Sequence, residues 1–244
     1  MEIEKSFEQK YSITKNIIER EAERIDSLLY EIQLNQKLFL DISKTSPPQA
    51  QKTFETYIDK SARHKCDVVF IAKVDKPVWL NASSPVPDVT PILNKIAALS
   101  RNFLTTAKIV RFESNGTDLT GIFKSKKIIL GNGDVIGVVV AGTILNDNFL
   151  LLNKIKQQTQ SPLVIFLDDK ELIASSIVKG SEKLKAILNH VNHVNHDIQG
   201  DLHSIKVSSK NGGSALMLTH FKLEFNGTAT SIKLIFAMND NILN

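Results

Sequence analysis

The chain has 244 residues, of which 42% are hydrophobic and 23% are charged, a balance typical of folded globular proteins rather than disordered ones. Its formal net charge of +4 is small, and basic residues are interleaved with acidic ones, so nucleic acid is not an expected partner. The single cysteine, Cys66, excludes an internal disulfide and leaves the cellular compartment open.

The sequence predicts no membrane span within its own length. The longest apolar stretch, 135–145, contains two glycines and is far shorter than the roughly 20 residues that a membrane helix needs. The first residues do not begin a signal peptide, because no apolar core follows them. Two interpretations remain: a cytosolic protein, or a soluble piece from between two membrane segments.

The first predicted element is one long helix over 2–43, a segment without glycine or proline. An apolar position recurs there at every seventh residue: Tyr11, Ile18, Ile25, Ile32 and Phe39. The complementary heptad position is only partly apolar, so two interpretations stay open. The helix either packs only on its own domain or also meets a partner helix, in a homodimer or along the second module. Pro47 and Pro48 then end this segment and start a second helix.

The rest of the chain predicts two units with the same order of elements, namely helix, two strands, helix and three strands. The first unit has helices over 49–63 and 89–106 and strands over 67–74, 78–82, 108–113, 119–130 and 134–145. The second has helices over 147–158 and 181–198, a hairpin over 162–175 and strands over 202–208, 214–225 and 230–238. Each unit is predicted to be an α+β sandwich with a mostly antiparallel five-stranded sheet.

The two units also share sequence at an offset of about 93 residues. The clearest match pairs 75–84 with 169–176, and each copy follows an apolar run. Further matches at the same offset pair Phe54 with Phe149, 132–133 with 226–227, and 146–148 with 239–241. The repeat predicts a tandem duplication, with a long N-terminal helix over 1–46, a first module over 47–146 and a second module over 147–244.

This order of elements resembles the PAS-like fold of extracytoplasmic sensors, and a long helix followed by two such units resembles the double Cache domain. The stretch 133–150 looks like the junction between two Cache modules, and 173–176 is similar to the hairpin signature that follows it. The resemblance implies a sensor on the periplasmic or extracellular face of the membrane, anchored by flanking segments absent from this chain. It implies a non-catalytic region without a cofactor.

The resemblance also implies a mechanism. The first module would be membrane-distal and bind a small molecule, and a helix displacement would carry the signal to a cytoplasmic output domain. A histidine kinase, a nucleotide cyclase and a chemotaxis domain fit equally well. The residue pattern with which Cache domains hold amino acids is absent, so the ligand stays unidentified. The alternative is an intracellular PAS-like scaffold or dimerisation protein with no ligand.

A ligand site is expected between the inner face of a module's sheet and the helix that links its second and third strands. In the first module this expectation selects Trp79, Arg101, Arg111 and Phe123. The aromatic rings would stack on a ligand, and the guanidinium groups would pair with a carboxylate or a phosphate. The competing interpretation is a core tryptophan and solvated arginines.

The sequence predicts no catalytic or metal-binding residues. His190, His193 and His196, with His203 nearby, span too wide an arc of a helix for all three to converge, and no acidic or cysteine partner stands at ligand spacing. A polar exposed face is therefore preferred over a third hypothesis, a metal-dependent enzyme. No glycine-rich loop precedes a helix, and no serine stands in a nucleophile elbow.

Overall fold

The structure, a computed structural model, describes residues 2–61, 66–73, 78–84, 86, 88–99, 106–161, 163–168, 171–193, 200–207 and 214–239. The chain divides into two compact units. We call Arg20–Ile144 the first unit, and Met1–Glu19 together with Leu145–Asn244 the second unit. The domain boundaries at 46 and 146 stay a prediction.

The N-terminal segment forms two helices, α1 over Glu2–Leu34 and α2 over Gln36–Ser43. The predicted long N-terminal helix is confirmed, but it ends at Leu34 instead of running through to residue 43. The Asn35 side chain caps α2 by accepting the Leu38 N–H at 3.0 Å. Asparagine favours such a position because its side chain substitutes for a backbone acceptor. The heptad pattern does not report the break, because Phe39 stays buried beyond it.

The first unit continues with α3 over Pro47–Lys60, which has proline in its first turn as predicted, and α4 over Thr90–Leu99. Its strands are β1 (Val68–Ala72), β2 (Leu80–Asn81), β3 (Lys108–Ser114), β4 (Thr117–Ile129) and β5 (Val135–Ile144). They form one sheet in the order β2-β1-β5-β4-β3, and every neighbouring pair is antiparallel.

The second unit contains α5 (Phe149–Thr159), β6 (Leu163–Asp168), β7 (Glu171–Ser175), α6 (Glu182–His193), β8 (His203–Val207), β9 (Ser214–Phe225) and β10 (Thr228–Asn239). Its sheet has the order β7-β6-β10-β9-β8, which is the order of the first sheet element for element. The β9–β10 turn places Asn226 and Gly227 at φ 50° and 73°, the left-handed geometry that this dipeptide favours. These features confirm the predicted α+β fold of two modules.

Both faces of the first unit's sheet are covered, and for this reason β1 is apolar and buried at every position. One face carries a core of Phe70, Phe112, Phe123 and Val140, closed by Ile92 of α4. The other face receives the later part of α1, which is tied to the sheet by polar contacts. For example, Gln33 Nε2 donates to the Lys127 carbonyl at 2.8 Å.

The second unit is built in the same way. Helix α6 covers one face with Leu184 and Ile187, which pack with Leu218 of β9. The early part of α1 covers the other face, where the Tyr11 ring stacks on Phe221 with centroids 4.8 Å apart. No helix in the described part of the chain is both long and apolar enough to span a membrane.

Candidate functional site

An open groove of about 780 Å³ runs along β3 beside α4, and we call it the α4–β3 groove. Because β3 is an edge strand, residues from both of its faces can reach this groove. The lining residues are Pro91, Asn94 and Lys95 of α4, Arg111, Phe112 and Glu113 of β3, and Asp118 of β4. Two cations and two carboxylates therefore line one concave surface.

Arg111 is the predicted site residue that lies in the groove. Its Nη2 donates to Asp118 Oδ2 at 3.0 Å, and the two side chains are 32% and 52% exposed. The register of the β3–β4 hairpin explains why Asp118 is nearby, because it places Asp118 opposite Glu113 on the neighbouring strand. Ion pairs this exposed contribute about 1 kcal/mol or less. A ligand anion could therefore replace Asp118 on the guanidinium at little cost.

Phe123 lies behind the groove, in the core of the first unit. Its side chain is fully buried, and its ring meets Phe112 edge-on with centroids 5.7 Å apart. Two glycines allow this packing: a Cβ on Gly121 would lie 2.8 Å from the Phe123 ring, and one on Gly142 would overlap it. Phe123 therefore supports Phe112, which itself lines the groove.

Trp79 lies at the opposite edge of the same sheet. It immediately precedes β2, and its N–H donates to the Ile71 carbonyl at 2.7 Å. Its half-buried ring is covered by Lys73, whose Nζ is 3.8 Å from the ring centre. Trp79 and Arg111 are therefore separated by the width of the sheet, and the structure does not bring them together. Arg101 lies outside the described residues.

The expected space between the sheet and α4 is occupied by core side chains among the described residues, including Phe70, Ile92 and Phe123. The concave surface opens instead at the sheet edge. Sequence reasoning missed Lys95, Glu113 and Asp118 as groove residues. The sequence signal that could have indicated this edge is the alternation of polar and apolar residues along β3, which is typical of a strand with one solvated face.

A second groove, of about 480 Å³, lies between α2 and α3. Its charged lining consists of Lys37, Lys52 and Lys60 with Asp41. No predicted site residue that the structure describes lies in it. The α4–β3 groove is therefore the better match to the predicted site.

Two described histidines of the second unit, His190 and His203, form a pair. The rings of His190 on α6 and His203 on β8 have centroids 5.3 Å apart. Burial lowers the pKa of His190, and the neighbouring His203 lowers it further. The His193 side chain and His196 lie outside the described residues. Within the described part of the chain, no three His, Cys, Asp or Glu residues form a metal-binding group.

Comparison with known proteins identifies the family. The family model of the LuxQ periplasmic domain matches residues 1–244. The chain belongs to the LuxQ periplasmic domain family. The autoinducer 2 sensor kinase/phosphatase LuxQ of Vibrio cholerae is 30% identical over 141 residues, a match that covers 55% of this chain and 16% of that protein. The chain thus corresponds to a small part of this curated relative.

Solved structures agree on the fold. The periplasmic domain of Vibrio cholerae LuxQ has a TM-score of 0.71 at 15% identity, over 95% of this chain and 99% of that one. The ligand-binding domain of the Pseudomonas fluorescens chemoreceptor CtaA, in complex with L-serine, has a TM-score of 0.55 at 10% identity, over 98% of both chains.

Family membership confirms the main prediction from the Cache resemblance: this is an extracytoplasmic sensor domain, of a family that senses rather than catalyses. It also decides the compartment that Cys66 left open, because the family is periplasmic. The alternative of an intracellular scaffold is therefore wrong.

Proposed function

We propose that this chain is the ligand-sensing domain of a membrane-anchored signalling receptor, and that a small molecule binds in the α4–β3 groove. The observation that carries the proposal is Arg111, whose guanidinium, on a side chain that is 32% exposed, forms an ion pair with the exposed carboxylate of Asp118. Such a group recognises a carboxylate or a phosphate through two parallel hydrogen bonds.

The mixed charge of the groove favours a small polar ligand with an acidic group. Lys95 and Arg111 would hold the anion, and Asp118, once released, or Glu113 would accept hydrogen bonds from amino or hydroxyl groups of the same ligand. The bound L-serine of the related chemoreceptor domain supports a small polar ligand for this fold. Of the other predicted residues, Phe123 would act by supporting Phe112. Trp79 has no place in this groove, and Arg101 stays a prediction that falls outside the described residues.

Signal transmission would run through helix α1. The helix contributes residues to both units, so a change in the first unit's sheet reaches the second through continuous helical backbone. Helix shifts of about 1–2 Å are a common form of such switching. In this proposal the first module, 47–146, is membrane-distal, and the second, 147–244, is membrane-proximal, with membrane segments outside this chain.

A homodimer through the N-terminal helix is part of the proposal. Tyr30 and Leu34 are one helical turn apart on α1 and are 54% and 61% exposed, which supports a partner on that face. The output domain is proposed to be a histidine kinase. The support is the curated relative, which is a sensor kinase/phosphatase and extends far beyond the matched region.

The proposal is tested by thermal unfolding in the presence of a library of small carboxylates and phosphates. A ligand at 100 times its Kd stabilises the folded state by about 2.7 kcal/mol, which is readily measured as a rise in Tm. The rise in Tm should be lost in Arg111→Met and reduced in Arg111→Lys, because lysine keeps the positive charge but cannot form two parallel hydrogen bonds to one anion. Arg20→Met, an exposed arginine on α1, is the matched control. If no compound raises the Tm of the wild-type domain, the proposal fails.

A further inference from the structure

A polar network ties helix α1 to the first unit's sheet at the end of β5. Arg24 Nη2 donates to Thr143 Oγ1 at 3.1 Å and forms an ion pair with Glu21 Oε2 at 2.7 Å. On the sheet side, Asp67 Oδ2 accepts the N–H of Ile144 at 2.8 Å. One guanidinium therefore connects the helix to the strand that leads out of the first unit.

Arg24 is also the cation that compensates two carboxylates. Burial raises the pKa of Asp67; the Ile144 N–H and the charge of Arg24 lower it, and the charge of Glu21 raises it. Glu21 lies on α1 and Asp67 immediately precedes β1, and the charge of Arg24 acts on both carboxyl groups. Burial raises the pKa of the adjacent Cys66 thiol to about 12, so this group is neutral and adds no charge. Loss of Arg24 would remove the cation that offsets the interaction between these two carboxyl groups.

The ion pairs of α1 in this unit tolerate movement better than its directional hydrogen bonds to the sheet, such as those of Arg24 to Thr143 and of Gln33 to the Lys127 carbonyl. Asp26 forms ion pairs with Lys124 at 2.8 Å and Lys126 at 3.0 Å. Lysine carries a point charge on a flexible four-carbon stem and follows a small displacement of its partner. The Arg24 hydrogen bond is directional and ends on a short, buried side chain, Thr143. From 3.1 Å, a slide of about 2 Å across the bond direction would lengthen it to roughly 3.7 Å, beyond hydrogen-bonding range, if the Arg24 side chain keeps its conformation.

We propose that Arg24 is a latch that fixes the axial position of α1 on the first unit's sheet, and that its release from Thr143 accompanies signalling. The latch deepens the proposed sensing function and rests on it. Arg24 is a positioning residue in this scheme, because it lies outside the α4–β3 groove and acts through the helix.

The latch is built to be released. Arg24 Nε is buried and has no hydrogen-bond partner among the described residues. A buried donor without an acceptor is unfavourable, so the resting position is held less firmly than a fully bonded guanidinium would hold it. A helix that must switch needs two positions of similar free energy. An incompletely bonded contact in the resting position reduces the free-energy difference between the two positions.

The test measures the position of the helix directly. Spin labels are attached at Ser27→Cys, on the exposed side of α1, and at Asn132→Cys, in the β4–β5 turn. The background is Cys66→Ser, because Cys66 hydrogen-bonds to Thr143 and serine keeps a hydroxyl there. The β4–β5 turn lies beside Gln36, beyond the end of α1, so an axial slide changes the distance between the labels. The distance distribution is recorded by pulsed electron paramagnetic resonance for the parent, for Arg24→Met and for Thr143→Val. Arg20→Met, one turn earlier on the helix, is the matched control.

The latch predicts that Arg24→Met and Thr143→Val each move or broaden the distribution by about 2 Å or more, while Arg20→Met matches the parent. A purely structural role would lower the Tm and leave the distance unchanged. Unchanged distances in both variants would overturn the latch, and if Arg24→Met does not fold, Thr143→Val decides alone. No ligand is present, so this result is independent of the Arg111 binding test.

Discussion

Gly142 is the position at which a single methyl group should have the largest effect on the first unit. It lies on β5 directly opposite Phe123 of β4. A Cβ at this residue would overlap the Phe123 ring and would lie 2.7 Å from the carbonyl oxygen of Ile122. The carbonyl cannot retreat without loss of the β4–β5 pairing, so the fully buried ring must leave its place in the core.

The expected magnitude follows from this geometry. Overpacking of a well-filled core destabilises by about 1–3 kcal/mol, and Gly142→Ala should lie at the upper end because one of its two obstacles is backbone. Phe123→Ala should cost about 3–5 kcal/mol. The double variant should be less destabilised than the sum, by about 0.5–3 kcal/mol, because the ring that obstructs the methyl group is gone.

Urea denaturation measures these values from the midpoints, provided that the m-value is unchanged. Gly131→Ala is the matched control, since its Cβ would meet only the Gln36 side chain, at 3.4 Å. It should lie within about 0.5 kcal/mol of the wild type. The reasoning is refuted if Gly142→Ala is as stable as the wild type, or if the control is destabilised equally.

Three further predictions concern titratable groups. Burial raises the pKa of the Cys66 thiol to about 12, so iodoacetamide should alkylate the folded domain slowly at pH 8 and rapidly once urea unfolds it; rapid alkylation of the folded domain would contradict this. For the same reason, the free energy of unfolding should fall as the pH rises above about 9. His190 has a pKa lowered by burial and by His203, so urea midpoints should drop as the pH falls through about 6.5, and His190→Gln should reduce the drop. Burial alone would raise the pKa of Asp26, but its two lysine partners lower it, so protonation of Asp26 at acidic pH should lower the free energy of unfolding. If Asp26→Asn loses stability towards acidic pH as steeply as the wild type, the ion pairs do not contribute.

Local sequence patterns predicted the elements of this fold well because each has a local physical cause. The apolar run of β1 reflects burial on both faces, and the Asn226–Gly227 turn reflects a backbone geometry that few other dipeptides adopt. The offset repeat predicted two modules of one architecture, and both sheets have the same strand order. The break at Asn35 was missed because a single side-chain cap causes it, without a change in apolar spacing.

The candidate site was harder to predict because it depends on non-local strand order. Hairpins make β1–β2 and β3–β4 neighbours, but only the pairing of β1 with β5 places Trp79 and Arg111 at opposite edges. Nothing in the local sequence of either residue reports that pairing. The alternation of residues along β4 likewise does not reveal that the Phe123 ring packs over glycines, because Gly142 lies on β5 and only Gly121 lies on β4 itself.

Binding of a small molecule to the first unit is tested most directly by mapping the contacted residues with nuclear magnetic resonance. An isotope-labelled domain is titrated with the best compound from the thermal screen, and the amide shifts are followed residue by residue. Binding in the α4–β3 groove should give saturable shifts centred on Asn94, Arg111 and Asp118, and Arg111→Met should abolish them. Shifts confined to the second unit, or centred on the α2–α3 groove, would contradict it.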